Sequence, residues 1–276
     1  MQFLVVGQWQ GSASSRAMRL GDGAQAIAAD LPRAATTVVD VPAGAGDRLE
    51  TAVARYTSVR AVADRVAEET GVASEPVLVV GGDGSSVLGA SVLVRPDTAF
   101  VRIAGSSGYR SLNRAQPVAA ETAVLRLLVD RPEDLFPDLP VLDPARVVLA
   151  GIRGVEDAEI AALDRVGITH LDVDAATPDA IAAAVGSTGA ERVFVHVDLD
   201  VLDPAEVDGL LEPVPFGLDA SGLVERIQAA TRGRRLVGAA LTGFAPVDPD
   251  RAVDDLGVIL RAVGALTTAS RTTDRG

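Results

Sequence analysis

Cysteine and lysine are both absent, and aromatic residues make up only 3% of the 276 residues. Without cysteine, disulfides, thiolate catalysis and cysteine-ligated zinc are excluded. Without lysine, all 25 basic residues are arginine, which reads as codon bias in a GC-rich genome rather than as chemistry. Histidine occurs only at His170 and His196, so any site built on several imidazoles is also excluded. No uninterrupted apolar stretch approaches the ~18 residues of a membrane-spanning helix. The opening residues carry neither a basic segment nor a long apolar run, so they do not form a signal peptide. A cytoplasmic protein with no membrane partner is expected. The net charge of −13 repels phosphate backbones and argues against nucleic acid as a partner. What is present is a 48% hydrophobic chain whose core must be mostly Val, Ala, Leu and Ile. Such a core suits parallel strands covered by helices on both faces. The length fits one large α/β domain or two small ones.

Short β-branched runs alternate with Ala-rich stretches. Strands are expected at Phe3–Val6, Thr36–Val41, Val77–Val80, Ala99–Ile103, Val147–Ala150, Thr169–Val173, Arg192–Asp198 and Leu236–Leu241. Helices are expected near 22–31, 47–70, 85–93, 117–129, 155–166, 178–186, 219–231 and 251–266. This alternation predicts an α/β fold on a mostly parallel, eight-stranded sheet. The Pro-rich stretch Arg131–Pro144 reads as a loop within one domain over residues 1–266, because the alternation resumes after it. The polar tail, 267–276, is expected to be flexible. Several strands run into Gly or Asp, at Gly81 to Asp83, Gly105, Gly151 to Arg153, Asp198 and Gly243. Ligands of open parallel sheets sit beyond the carboxyl ends of the strands, so a site is sought there.

Two segments carry chemistry. In the run from Val193 to Pro204, alternation along a strand sends His196, Asp198 and Asp200 the same way if the strand extends that far, and Asp203 closes the turn. Two carboxylates so spaced suit a divalent cation that cancels their repulsion. The other reading is a loop whose acids cap helices and face water. His196 by itself reads as a hydrogen-bonded strand histidine. The second segment runs from Val77 through Gly81, Gly82, Asp83 and Gly84 to Ser86. Its amides suit an anion, and its glycines resemble the phosphate loop of diacylglycerol and NAD kinases, although Asp83 or Ser85 serves equally as a helix cap.

Together, in this order, the two segments resemble the arginase/agmatinase/formimidoylglutamase (ureohydrolase) superfamily. The motif from His196 to Pro204 resembles that family's seventh-strand Ser-x-Asp-x-Asp-x-x-Asp-Pro. Gly209 to Leu218 looks like its proline–glycine loop, Gly151 to Arg153 like its Gly-x-Arg segment, and Val6, Gly7 and Gly21 to Gly23 like its opening loop. The resemblance implies a three-layer αβα domain, a trimer or hexamer of like copies, and six side chains holding two manganese ions. Of those six, only Asp198 and Asp200 match. The first His is replaced by Gly84, and the Asp-Ala-His-x-Asp segment aligns with Ile103 to Ser107. Gly243 stands where the family has its guanidinium-recognising Glu.

The resulting expectation is a divergent member with a degenerate metal site, acting as a binding or scaffold subunit without ordinary ureohydrolase activity. No cofactor is expected beyond a residual Mn or Mg at Asp198 and Asp200, and no catalytic residue is assigned. Asp83, His196, Asp203 and Arg153 complete the candidate site. Without two ions, a nearby arginine (Arg102, Arg110 or Arg153) is expected to pair with Asp198 or Asp200; a single Mg or Ca at Asp198, Asp200 and Asp203 is the intermediate case. The alternative is a divergent hydrolase cleaving a linear amidine, guanidine or amide C–N bond at an altered or single-metal site. A nucleotide-binding reading of Gly81 to Ser85 is disfavoured by the lack of lysine. The small-molecule ligand is not legible, because the residues that would name it are the missing ones.

Overall fold

In the computed structural model, which describes residues 1–130, 135–248 and 251–272, each β-branched run is a strand of one sheet. The strands are β1 (Gln2–Val6), β2 (Thr36–Val38), β3 (Val77–Gly81), β4 (Thr98–Ile103), β5 (Val147–Ile152), β6 (Thr169–Asp172), β7 (Arg192–Asp198) and β8 (Arg235–Thr242). Their order is β2-β1-β3-β8-β7-β4-β5-β6. All seven pairings are parallel, so the sheet is wholly rather than mostly parallel. The long helices are α1 (Arg19–Ala29), α2 (Tyr56–Gly71), α5 (Asp157–Val166), α6 (Pro178–Ser187), α7 (Ala220–Thr231) and α8 (Ala252–Thr272); α3 (Val87–Ala90) and α4 (Val124–Val129) are short.

Alternation along each strand divides the core into two layers. Val5, Val80, Val101, Val195 and Leu241 face α1, α6, α7 and α8. Leu4, Val79, Phe100, Phe194 and Ala240 face α2, α3, α4 and α5. The central strands are closed on both faces, which is why they are apolar throughout. Phe100 and Phe194 stack across neighbouring strands, with centroids 5.5 Å apart and planes 5° off parallel. They anchor the layer beneath the site.

The structure corrects three boundaries. The helix expected from residue 47 starts only at Tyr56, because Leu49, Glu50 and Arg55 adopt left-handed φ of 46°, 61° and 53° and keep the preceding chain irregular. β2 stops at Val38 rather than Val41. The tail expected to fray from Thr267 is instead helical to Thr272: Leu266 is buried, and the Thr267 hydroxyl donates to the Val263 carbonyl at 2.8 Å. Of the loop Arg131–Pro144, residues 131–134 lie outside the described residues, as do 273–276 of the tail.

β3 and β4 lead to helices on one face, β7 and β8 to helices on the other. The crevice between these diverging loops lies at the carboxyl ends of the four central strands, where such sheets hold ligands. Gly243 N–H donates to the Gly82 carbonyl at 2.8 Å, and Asp83 N–H donates to the Gln8 carbonyl at 2.9 Å; these bonds fix the loops against each other.

Candidate functional site

The crevice holds a chamber of about 110 Å³, lined by Leu20, Gly84, Ser106, Thr122, Leu211 and Gly243 together with four carboxylates: Glu121, Asp198, Asp200 and Glu212. Asp198 ends β7 and is 8% exposed. Two glycines flank it. A Cβ at Gly243, whose φ is +95°, would lie 2.5 Å from Asp198 Oδ1, and one at Gly84 would lie 3.1 Å from Oδ2. A side chain at Gly243 would therefore collide with the carboxylate, and one at Gly84 would crowd it.

Beneath Asp198 lies a buried cation. Arg102, on β4 and 1% exposed, donates from one terminal nitrogen to Asp198 Oδ2 at 3.3 Å and to Ser106 Oγ at 3.2 Å. Its other terminal nitrogen donates to His196 Nδ1 at 2.8 Å. His196 Nε2 is 2.9 Å from Thr242 Oγ1 and serves as the donor there, since Nδ1 accepts from a guanidinium that has only donors. Burial, and then the adjacent Arg102, hold the imidazole's pKa well below its usual value, so the ring is neutral. The register places Arg102 beside His196 on neighbouring strands. Arg102, rather than Arg110 or Arg153, is thus the arginine that reaches the acid pair.

Asp200 lies past the strand end, in a single tight turn over Leu199–Val201, so it does not continue the alternation of His196 and Asp198. Its carboxylate accepts from Gly105 N–H at 2.8 Å and Ser106 N–H at 3.1 Å. Burial of that carboxyl, followed by repulsion from Asp198, pushes its pKa up to about 7. Glu121 opens the turn ahead of α4, and its carboxyl meets the Ser12 side chain. Burial, and then repulsion from Asp83, raise its pKa well above the ordinary carboxylate range. Sequence reasoning missed both Glu121 and Glu212. Their only signals were a lone acid at the head of an apolar helix and another inside the proline–glycine loop.

The remaining candidates lie around the chamber rather than in its lining. Asp83 is fully buried and accepts from Gly11 N–H and Ser85 N–H, each at 2.8 Å, and from the Gln8 amide at 3.3 Å. Burial still lifts its pKa to about 6. It takes up the Ser85 amide, and the Gly82 and Asp83 amides are bonded to the Val6 and Gln8 carbonyls, so those three do not serve an anion at Gly81 to Ser85. His196 is sealed by Arg102 and Thr242. Asp203 accepts from Ala205 N–H at 2.9 Å and Gly217 N–H at 3.0 Å; it is a turn cap outside the chamber lining, contrary to a cation shared by Asp198, Asp200 and Asp203. Arg153 donates to the carbonyls of Asp200 at 2.6 Å, Leu202 at 3.1 Å and Val214 at 2.9 Å, stapling the turn after β7 to the proline–glycine loop. It lines an adjoining outer hollow of about 300 Å³ that shares Ser106, Asp200 and Glu212 with the chamber. Among the described residues, no three of His, Cys, Asp and Glu are grouped as a metal ion requires. Among the described residues, no helix is long and apolar enough to cross a membrane.

Comparison with known proteins places these features. The profile of the Arginase family matches residues 105–258. The N(omega)-hydroxy-L-arginine amidinohydrolase of Streptomyces lavendulae is 30% identical over 126 residues, covering 44% of this chain and 43% of that protein, so the match spans less than half of that relative. Among solved structures, the arginase of Bacillus caldovelox superposes with a TM-score of 0.78 at 18% identity, covering 96% of this chain and 97% of that one. The Entamoeba histolytica arginase, solved in complex with L-ornithine, gives 0.77 at 15% identity, with 97% and 99% covered. The proclavaminate amidino hydrolase of Streptomyces clavuligerus gives 0.73 at 18% identity, with 98% and 92% covered. At these identities the structural likeness establishes the fold. The family match overturns the expectation of no cofactor beyond a residual Mn or Mg at Asp198 and Asp200, because members of that family work with binuclear manganese.

Proposed function

The chain belongs to the arginase family, and with that as premise we propose that it binds a small linear amidine- or guanidine-type cation in the acidic chamber, as a cytoplasmic binding protein that associates with its own copies. The observation that carries this reading is the chamber itself: four carboxylates around about 110 Å³, with Gly84 and Gly243 letting the backbone close in on Asp198. Carboxylates in excess of their local cations favour a positively charged guest. The volume suits a head group of a few heavy atoms. The names of the relatives point to the same chemical class, since one acts on a hydroxyarginine and another is solved with ornithine.

The family's cofactor is the standard against which the donors are tested, and they do not fit a pair of ions. Gly84 and Gly243 bring no donor atom, the Gly105–Ser107 turn brings no carboxylate or imidazole, and Arg102 already occupies Asp198 Oδ2. A two-ion centre needs more ligands than two carboxylates. In the proposal Asp198 and Asp200, the two positions that match the family's metal ligands, face the organic cation directly, with Glu121 and Glu212 closing the other walls. Asp83, His196, Asp203 and Arg153 position the walls.

The second reading is a divergent hydrolase of a linear amidine C–N bond. It is favoured by a carboxyl, Asp200, that both holds and releases a proton near pH 7. Titration calorimetry with agmatine, arginine and guanidine, beside urea- and ammonia-release assays run with added manganese, separates the two. Binding without turnover is expected, weakened about tenfold or more by Asp198→Asn and by Gly243→Ala. Turnover would replace the first reading with the second, and a chamber that binds none of the three cations would sink both.

A further inference from the structure

Glu212 is the least supported of the four carboxylates in the chamber. Asp198 has Arg102, Asp200 has two backbone amides and Glu121 has Ser12. The Glu212 side chain makes no hydrogen bond or ion pair among the described residues. Its place in the wall is therefore set by the backbone that carries it, the loop from Gly209 to Leu218. An acid outside the chamber grips the root of that loop. Asp255, in the first turn of α8 and 7% exposed, accepts from Asp208 N–H at 3.0 Å and from Gly209 N–H at 2.8 Å. The Gly209 carbonyl in turn accepts from Ala245 N–H at 2.8 Å, and Leu210 bridges to Phe244. Phe244 follows Gly243, another part of the chamber wall, so two wall segments share one root. Only glycine permits this approach: a Cβ at Gly209 would lie 2.5 Å from the Phe244 ring and 2.9 Å from Asp255 Oδ2.

We infer that Asp255 is a positioning residue for the chamber, holding the loop root so that Glu212, three residues on, stands in the wall. Other groups also hold the loop. Arg16 donates to the Leu211 carbonyl, Arg153 to the Val214 carbonyl, and Asp203 accepts from Gly217 N–H, all in exposed or half-buried positions. Asp255 outweighs them at the root because one buried carboxylate takes two consecutive amides. Hydrogen bonds to an ionised acceptor are about twice as strong as neutral ones, and burial keeps water from competing. Its neighbour Asp254 supplies the contrast: it is 69% exposed and reaches only Arg251, at 4.0 Å. The part of the inference that concerns guest binding rests on the reading of the chamber as a cation site. The anchoring of the loop does not.

Amide hydrogen exchange and titration calorimetry with guanidine, both on the full chain, test it. Exchange over residues 208–212 is expected to rise about tenfold or more in Asp255→Ala, less in Asp255→Asn, which keeps one acceptor, and not at all in Asp254→Asn. Guanidine affinity is expected to fall about fivefold in Asp255→Ala. In a Glu212→Gln background the same change should cost nothing further, a non-additivity that general loosening of the fold would not produce. Circular dichroism checks that each variant is folded, and Asp255→Asn carries the same comparison where the alanine variant is not. Unchanged exchange at 208–212 overturns the anchoring. A loss of affinity that is equal with and without the Glu212 charge overturns the positioning of Glu212. A wild type that binds no guanidine sinks the cation reading of the chamber, and exchange then decides the role of Asp255 by itself.

Discussion

The chamber at the strand ends is about 110 Å³ and lined by four carboxylates, whereas the groove outside α7 and α8 is about 800 Å³ and rimmed by three arginines. The chamber is built from loops that converge from β3, β4, β7 and β8, and Asp198, Asp200 and Glu121 are each tied to the backbone or to a neighbouring side chain. The groove is built from the outward faces of two helices and the turn after α7, where Arg234 bonds the Ala190 carbonyl at 3.2 Å and Arg232 reaches only the exposed Asp179. The buried charges of the chamber are therefore coupled to stability more strongly than the exposed charges of the groove.

Removing the buried cation tests the comparison most severely. Arg102→Leu leaves Asp198 and Ser106 without their donor in a closed layer, and a cost of about 3–5 kcal/mol is expected in urea unfolding. Adding Asp198→Asn should recover part of that loss, because the uncompensated charge goes with it; a double variant as unstable as the single one would show that packing of the guanidinium, not the ion pair, is what matters. Next in size is pH. The carboxyls of Asp83 and Asp200 are raised to about 6 and about 7, against about 4 in the unfolded chain. Between those limits the folded state holds more protons than the unfolded one, so stability falls as pH rises from about 4 to 7 and levels off above. A loss on the order of 1–3 kcal/mol between pH 5 and pH 8 is expected, reduced in Asp83→Asn. A melting temperature that is flat over this range would remove the coupling claimed for the chamber. The smallest effect belongs to the groove: Arg261→Ala should change the unfolding free energy of the dissociated chain by no more than about 0.5 kcal/mol. A larger loss would mean the groove arginines serve the fold after all.

Strand positions were legible because a two-sided sheet demands apolar runs and helices demand a different period; β7 begins and ends where the sequence places it, at Arg192 and Asp198. The carboxyl-end location of the site followed from the same alternation. Less was legible where the chain leaves regular structure. The turn of Leu199–Val201 re-aims Asp200, and the left-handed residues before Tyr56 cost α2 its expected first turns. Neither has a periodic signature. Glu121 and Glu212 lie 91 residues apart in sequence and meet only across the chamber.

Composition and local pattern decided the fold class, the all-Arg, cysteine-free chemistry and the acid pair at the end of β7, because each depends on neighbours within a few residues. Tertiary structure alone decided that Arg102 lies under Asp198, that Asp83 is a buried brace, and that two glycines from different loops close in on one carboxylate. Those facts depend on which strand ends the crossovers bring side by side, and no local period encodes that distance.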